Sequence, residues 1–392
     1  MKKIICMAIL LLVINPSSGY SQKISRAKLD SVLQRASDQY KYLMQRLPKG
    51  EFPKTYHAME DRLETSDSEW WCSGFYPGTL LKLFQYNGDA SLKKEADRIL
   101  LDLEKEQFNT GTHDLGFMMY CSFGLAEEIE PKTAYREILM NSAKSLATRF
   151  NGKVGCIRSW NSKDDSFLVI IDNMMNLELL FWASDFSGDP QYADIAIAHA
   201  DTTIKNHFRN DFSSYHVLDY NETTGEVMEK RTAQGFADES AWARGQAWGL
   251  YGYTATYRIT KDPKYLHQAV KIADFMLNDP NLPLDKVPYW DYDAETIPDA
   301  LRDSSAGAIM ASALLELANY VDEAKAKRYF QDAETALNTL IGPKYIAQKG
   351  ENGGFLLKHG VGHLPQKSEV DVPLTYGDYY LVEALQRYMR SM

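Results

Sequence analysis

Two aspartates stand in surroundings that suit proton chemistry. Asp172 follows five consecutive apolar residues, Phe167-Leu168-Val169-Ile170-Ile171, and leads into Asn173-Met174-Met175-Asn176. A carboxyl group at the end of such a run is drawn away from water. That disfavours its charged form and raises its pKa toward the range useful to a general acid. Asp114, in Thr112-His113-Asp114-Leu115-Gly116-Phe117, sits at a second loop-to-helix junction, ahead of Met118, Met119 and Leu125. Two acids on neighbouring elements can flank one sugar, as glycoside hydrolysis requires. Aspartate is also an ordinary helix N-cap, and for both residues that plainer duty stands beside the catalytic one.

A third cluster runs from Gln234-Gly235-Phe236 to Trp242-Ala243-Arg244-Gly245-Gln246-Ala247-Trp248. A helix over Ala243–Trp248 places Arg244 and Trp248 at i and i+4, on one face. A guanidinium grips a carboxylate through two parallel hydrogen bonds, and an indole offers a flat face to a sugar ring. The alternative is an arginine that is salt-bridged and packed on a core tryptophan. Trp71, just before an apolar helix, is either a stacking wall or plain core. His216 lies in a strand-like segment, and no histidine or cysteine spacing marks a metal site. Gly353-Gly354 and Gly360-Val361-Gly362 lack the strand–glycine–helix setting of a phosphate loop. Ser304, Ser305 and Cys72 carry no nucleophile signature.

The elements that must position these residues are helical. Ser91–Glu106 carries Leu92, Ala96, Ile99, Leu100 and Leu103 on one stripe. Gly188-Asp189-Pro190-Gln191-Tyr192 and Lys261-Asp262-Pro263-Lys264-Tyr265 open two further helices; Asp89-Ala90-Ser91 and Asp322-Glu323-Ala324 open two more. Aspartate caps the helix start and proline suits its first turn, so this repeat is structural. Each such helix follows a more apolar one: Tyr76–Phe84, Met174–Phe186, Ala247–Ile259 and Ala306–Tyr320. Alternating buried and outer helices make hairpins, and six of about 55–65 residues fit the chain. An open solenoid fits the same period. A closed all-α ring of six hairpins, the (α/α)6 barrel, better suits glycine- and aromatic-rich loops, which gather at one end to form a pocket.

Composition sets the outer bounds. With 392 residues, 45% hydrophobic and 24% charged, the chain is globular with a large core. Its 53 acidic against 43 basic residues argue against nucleic acid as a partner. Met1-Lys2-Lys3, the apolar stretch Ile4 to Ile14 and the small residues up to Ser21 read as a signal peptide over 1–21. That stretch is shorter than the ~20 residues of a membrane span. No linker divides 22–392, which is expected to be one catalytic domain, periplasmic or secreted. Cys72, Cys121 and Cys156 supply neither a disulfide framework nor a zinc pair.

Taken together, these junctions resemble the unsaturated glucuronyl hydrolases, glycoside hydrolase family 88. The resemblance runs from Trp71-Cys72-Ser73-Gly74-Phe75-Tyr76-Pro77-Gly78 to Ser368-Glu369-Val370-Asp371 and Tyr376-Gly377-Asp378-Tyr379-Tyr380. Its most specific pieces are His113-Asp114-Leu115-Gly116-Phe117, Ile171-Asp172-Asn173-Met174-Met175-Asn176 and Ala243-Arg244-Gly245-Gln246-Ala247-Trp248. The resemblance implies an (α/α)6 barrel without cofactor or metal. It implies a substrate ending in a 4,5-unsaturated uronic acid, the product that polysaccharide lyases leave on glycosaminoglycan fragments. Asp172 matches the family's acid/base and Asp114 its second essential carboxylate. His113, Trp71, Trp160, His216, Gln234, Arg244 and Trp248 match sugar-pocket positions. The family's sulfate-contacting loop falls around Gly360–Ser368, which here reads His363-Leu364-Pro365-Gln366-Lys367-Ser368 at its end. The implied reaction hydrates an enol ether: carbon four is protonated, water adds to carbon five, and the hemiketal collapses. Three rivals remain: an unsaturated rhamnogalacturonyl hydrolase, an inverting glycosidase, and a non-catalytic sugar-binding protein.

Overall fold

The computed structural model describes residues 23–161 and 166–392; the expected signal segment over 1–21 lies outside the described residues. Helices apolar along one stripe alternate with more apolar helices that face the barrel interior. In chain order they pair as α1 (Arg26–Arg46) with α2 (Phe75–Asn87), and α3 (Ala90–Leu103) with α4 (Leu125–Ile129). Next come α5 (Thr133–Ala147) with α6 (Leu177–Ser187), and α7 (Pro190–His207) with α8 (Ala243–Thr260). The last pairs are α9 (Pro263–Asn278) with α10 (Ser304–Leu317), and α11 (Glu323–Leu340) with α12 (Thr375–Arg390). The second helix of each pair is the inner one. Every residue of α10 is buried, whereas α3 buries the five-residue stripe read from the sequence and leaves the rest half-buried or exposed.

Contacts among the inner helices close a ring. α2 packs on the stretch leading into α4, that stretch on α6, α6 on α8, α8 on α10, α10 on α12, and α12 back on α2. This closure makes the molecule an (α/α)6 barrel and removes the open solenoid. The outer helices start as expected: Asp89, Asp189, Asp262 and Asp322 accept the backbone N–H of Ser91, Gln191, Lys264 and Lys325, each at 3.0 Å.

Short strands decorate the loops before the inner helices. β1 (Phe52–His57) pairs with β2 (Arg62–Ser66), and β3 (Phe150–Asn151) with β4 (Cys156–Ile157), all antiparallel. β5 (Phe167–Ile170), β6 (Val217–Tyr220) and β7 (Val227–Arg231) form a three-stranded sheet; β8 (Gly360–His363) and β9 (Ser368–Val372) form a hairpin. The apolar run ahead of Asp172 is thus a buried strand. Deeper in the barrel, a cavity of about 230 Å³ is lined by Lys82, Glu178, Arg258, Glu383 and Arg387. These five charges are paired: Arg258 meets Glu178 and Glu316, while Lys82 and Arg387 meet Glu383. Burial alone would raise the Glu383 pKa, but Arg387 and Lys82 hold it down to about 2. Among the described residues no helix is long and apolar enough to cross a membrane.

Candidate active site

The N-terminal ends of the inner helices, with the loops before them, build the site. Strand β5 pairs with β6 so that Ile170 lies opposite Val217, and the N–H of Ile171 donates to the carbonyl of His216 at 3.1 Å. A 3-10 turn over Ile171–Asn176 then leads into α6 and carries Asp172 on its first turn. Asp172 caps nothing. Its Oδ2 is buried without a hydrogen-bond partner, and the residue is 8% exposed. Burial pushes its pKa up; Arg244 opposes that and Asp114 adds to it, leaving the group at about 7. At neutral pH such a carboxyl group can either give or take a proton.

His216 is its neighbour because the sheet register places it there. The imidazole Nδ1 accepts the N–H groups of Ala233 at 3.1 Å and Gln234 at 3.2 Å. The proton of the neutral ring therefore sits on Nε2, which lies 3.7 Å from Asp172 Oδ2. Burial, reinforced by the Arg244 cation, holds His216 well below the usual imidazole range, so the ring stays neutral. The indole N–H of Trp248 faces the same carboxyl group without closing a well-formed hydrogen bond. Trp248 is otherwise fully enclosed by Phe117, Tyr376 and Tyr380, so its N–H edge, rather than a ring face, reaches the site.

Asp114 is held by its own loop. The Thr112 hydroxyl donates to Asp114 Oδ2 at 2.9 Å, and His113 Nε2 lies 3.3 Å from Oδ1. Burial keeps His113 below its ordinary pKa, against the pull of Asp114. The following segment, Gly116–Gly124, is π-helical rather than the α-helix its apolar residues suggest; such wide turns recur at functional sites. One residue joins the two acid-bearing junctions: Asn176 Oδ1 accepts the N–H of Phe117 at 2.9 Å. Gly116 permits this approach, since a Cβ there would lie 2.4 Å from the Cα of Asn176.

Arg244, on the first turn of α8, is 1% exposed. Nη1 donates to Asp303 Oδ2 at 3.1 Å and to the carbonyl of Val361; Nη2 donates to the carbonyl of Gly362 at 2.6 Å. The rings flanking the guanidinium are Trp242 and Tyr376, at 4.5 and 5.2 Å, rather than the expected Trp248. The salt-bridged arrangement is thus the one observed. Even so, Nε has no partner, and two of the five N–H donors remain unspent. Gln234 Nε2 donates to the same Gly362 carbonyl at 3.0 Å, so hairpin β8–β9, the expected sulfate-contacting segment, closes over Arg244. Trp71 packs against Phe117 and Tyr376 as a half-buried wall. Trp160 packs against the small cluster of Leu168, Ile170 and Val217, beside the strand that delivers Asp172.

Sequence reasoning missed Asp303 and Asn176. Asp303 is fully buried; Oδ1 caps α10 through the Ser305 N–H at 3.0 Å while Oδ2 holds Arg244. Asp-Ser-Ser before an apolar helix announces the cap, but no local pattern announces a partner 59 residues away. Asn176 stood inside a quoted motif without a role, because its partner Phe117 also lies far off in sequence.

Known proteins resemble the chain along most of its length. The chain is 45% identical to an unsaturated glucuronyl hydrolase of Formosa agariphila over 339 residues, covering 86% of this chain and 84% of that one. It is 34% identical to an unsaturated chondroitin disaccharide hydrolase of Streptococcus pyogenes, covering 88% and 87%. A solved unsaturated glucuronyl hydrolase specific for heparin superposes with a TM-score of 0.91 at 44% identity, covering 94% of this chain and 99% of that one. The enzyme from a Bacillus species that degrades glycosaminoglycan gives 0.87 at 29%, covering 93% and 97%. No family model matches the sequence. With relatives of this identity along nearly its whole length, around a barrel whose mouth holds Asp172 and Asp114, the chain belongs to the unsaturated glucuronyl hydrolases, a family of glycoside hydrolases.

Proposed function

We propose that this enzyme removes the terminal 4,5-unsaturated uronic acid from lyase-generated glycosaminoglycan oligosaccharides by hydrating its enol ether. One observation carries the reading: the unpartnered Asp172 Oδ2, His216 Nε2 and Trp248 Nε1 converge in one buried place, with the unpartnered Nε of Arg244 within electrostatic reach. Buried polar atoms are almost always paired in a protein, so a cluster of unpaired ones is shaped for a ligand.

Asp172 protonates carbon four and takes a proton from the water that attacks carbon five. A hemiketal forms there, opens to a ketone, and leaves a hemiacetal at carbon one that releases the next sugar. A carboxyl group at about pKa 7 suits both proton transfers near neutral pH. Asp114 and His113 hold the ring hydroxyls, and Gln234 and Arg244 face the uronate carboxylate with the donors that Arg244 keeps. Trp71 and Trp160 wall the sugar, while His216 and the Trp248 N–H orient Asp172.

The test follows the atoms of water. Turnover in deuterated, oxygen-18 water should place deuterium on carbon four and the heavy oxygen on carbon five, as read by NMR and mass spectrometry. Saturated glucuronides, which have no alkene to protonate, should not react. A carbon four that gains no deuterium, or cleavage of saturated glucuronides at a similar rate, overturns the hydration mechanism. Chondroitin and heparin disaccharides should turn over faster than pectin-derived ones; the reverse order overturns the substrate assignment.

A further inference from the structure

Arg149, just beyond α5, is buried to 8% exposure yet has no carboxylate bonded to it among the described residues. Its guanidinium instead makes four hydrogen bonds to neutral oxygens. Nε donates to the Arg158 carbonyl at 2.8 Å, and Nη1 donates to the Thr110 carbonyl. Nη2 donates to the Ser159 carbonyl at 3.2 Å and to Asn161 Oδ1 at 3.3 Å. Burying a guanidinium without an ion pair is costly, and burial pulls its pKa down to about 10. A residue kept at such a cost is doing something that apolar packing cannot.

The acceptors show what that is. Thr110 lies in the loop that ends in His113 and Asp114. Residues 158–161 carry Trp160 between two of the held acceptors. Ser159 is a hub: its carbonyl also accepts the His113 N–H at 3.2 Å, its N–H donates to Leu168 at 2.8 Å, and its hydroxyl accepts the Ile170 N–H at 2.9 Å. Ile170 is two residues before Asp172. One rigid fork therefore ties together the backbone of the Asp114 loop, the Trp160 loop and the strand delivering Asp172.

We propose that Arg149 is a positioning residue that sets the placement of Asp114 against Asp172 by clamping the two loops through Ser159. This rests on the reading of Asp114 as an active-site carboxylate. The planar, five-donor fork is essential to the role, because a lysine ammonium can carry the charge but cannot bridge these carbonyls at once.

The experiment is a double-mutant cycle on the full-length enzyme, following loss of the substrate double bond by ultraviolet absorbance. Arg149→Lys should lower kcat at least ~10-fold with its circular dichroism unchanged, since small misplacements of reacting groups are costly. In an Asp114→Asn background the same change should cost less than ~2-fold, because the group it positions is already disabled. Arg149→Gln, which keeps a planar donor head, serves as the second variant if lysine prevents folding, and it should show the same non-additivity. Full activity in Arg149→Lys, or losses that multiply in the double mutant, overturn the positioning role while leaving Asp114 in place. Parental turnover in Asp114→Asn alone overturns the reading of Asp114, and the role of Arg149 with it.

Discussion

Asp89, Asp189, Asp262 and Asp322 stand just ahead of outer helices at the barrel surface, each accepting one backbone N–H. Asp114 and Asp172 stand just ahead of inner helical segments at the barrel mouth, and neither caps its helix. The residue type and its place in the chain are the same, and the surroundings decide the duty. At the surface, water solvates the carboxylate while the helix start supplies a donor, so the charge is stable and inert. In the mouth the apolar strand before Asp172 excludes water, the turn supplies no capping donor to its Oδ2, and the proton becomes exchangeable near neutral pH. What stabilises the fold in one region is withheld in the other, which leaves the Asp172 carboxyl group free for the proton transfers proposed for it.

The contrast breaks most directly at Asp172. Asp172→Asn should lower turnover by at least ~10²-fold, the usual cost of losing a general acid/base, while sugar binding survives. Stability should move the other way. The unfolded chain releases this proton near pH 3.8, whereas the native state holds it up to about pH 7. Between those values the native state binds more protons than the unfolded one, so the contribution of Asp172 to stability falls as pH rises and stays low above 7. A shift of that size is worth on the order of 4 kcal/mol at most. Urea unfolding should therefore find Asp172→Asn more stable than the parent at pH 8 and nearly equal to it at pH 4. A variant less stable at pH 8 would mean that Asp172 is a structural group like the surface caps.

Arg244 tests whether an ion-paired residue can still serve a ligand. Arg244→Ala should raise KM for the unsaturated uronide by ~1.5–3 kcal/mol, the size of a charged hydrogen bond. A carboxyl-reduced substrate should suffer far less. Because the single change strands the buried carboxylate of Asp303, Arg244→Ala/Asp303→Asn is the proper control, with no unpaired charge left behind. Equal losses on both substrates in the double variant would reduce Arg244 to the bridge it makes with Asp303.

How much of this was legible follows the same division. Four of the six outer helices, α3, α7, α9 and α11, could be read because their aspartate caps and apolar stripes are local, and α3 buries the stripe its sequence announces; α1 and α5 start without that aspartate and went unread. The burial of Asp172 and its raised pKa were legible because their cause, the apolar run, is contiguous with it. Asp303 and Asn176 were not, because each acts on a segment that only the packing of neighbouring inner helices brings near; Arg149 was not, because it reaches backbone acceptors across the β3–β4 hairpin and at Thr110, which no side-chain pattern announces. The π-helical stretch over Gly116–Gly124 was hidden for another reason: it is mostly apolar, so no periodicity separates it from an α-helix. Arg244 was legible as a residue but not in its partners, since Trp242 and Tyr376 reach it from the preceding residues and from α12.

The smallest effect sharpens the comparison from the surface side. Asp189 accepts the Gln191 N–H at 3.0 Å and precedes Pro190 at the first position of α7. Asp189→Ala removes the acceptor and leaves that N–H to water, at a cost of ~1 kcal/mol for a typical cap. Asp189→Ser keeps an acceptor and should recover most of it, which separates loss of the cap from loss of charge. Neither change should alter kcat or KM, because α7 is an outer helix and its cap lies away from Asp172. Urea midpoints that fall for alanine and recover for serine, at constant turnover, would establish the surface aspartates as purely structural. A fall in turnover with the alanine variant would show that the outer ring and the barrel mouth are coupled, and the division between the two sets of aspartates would fail.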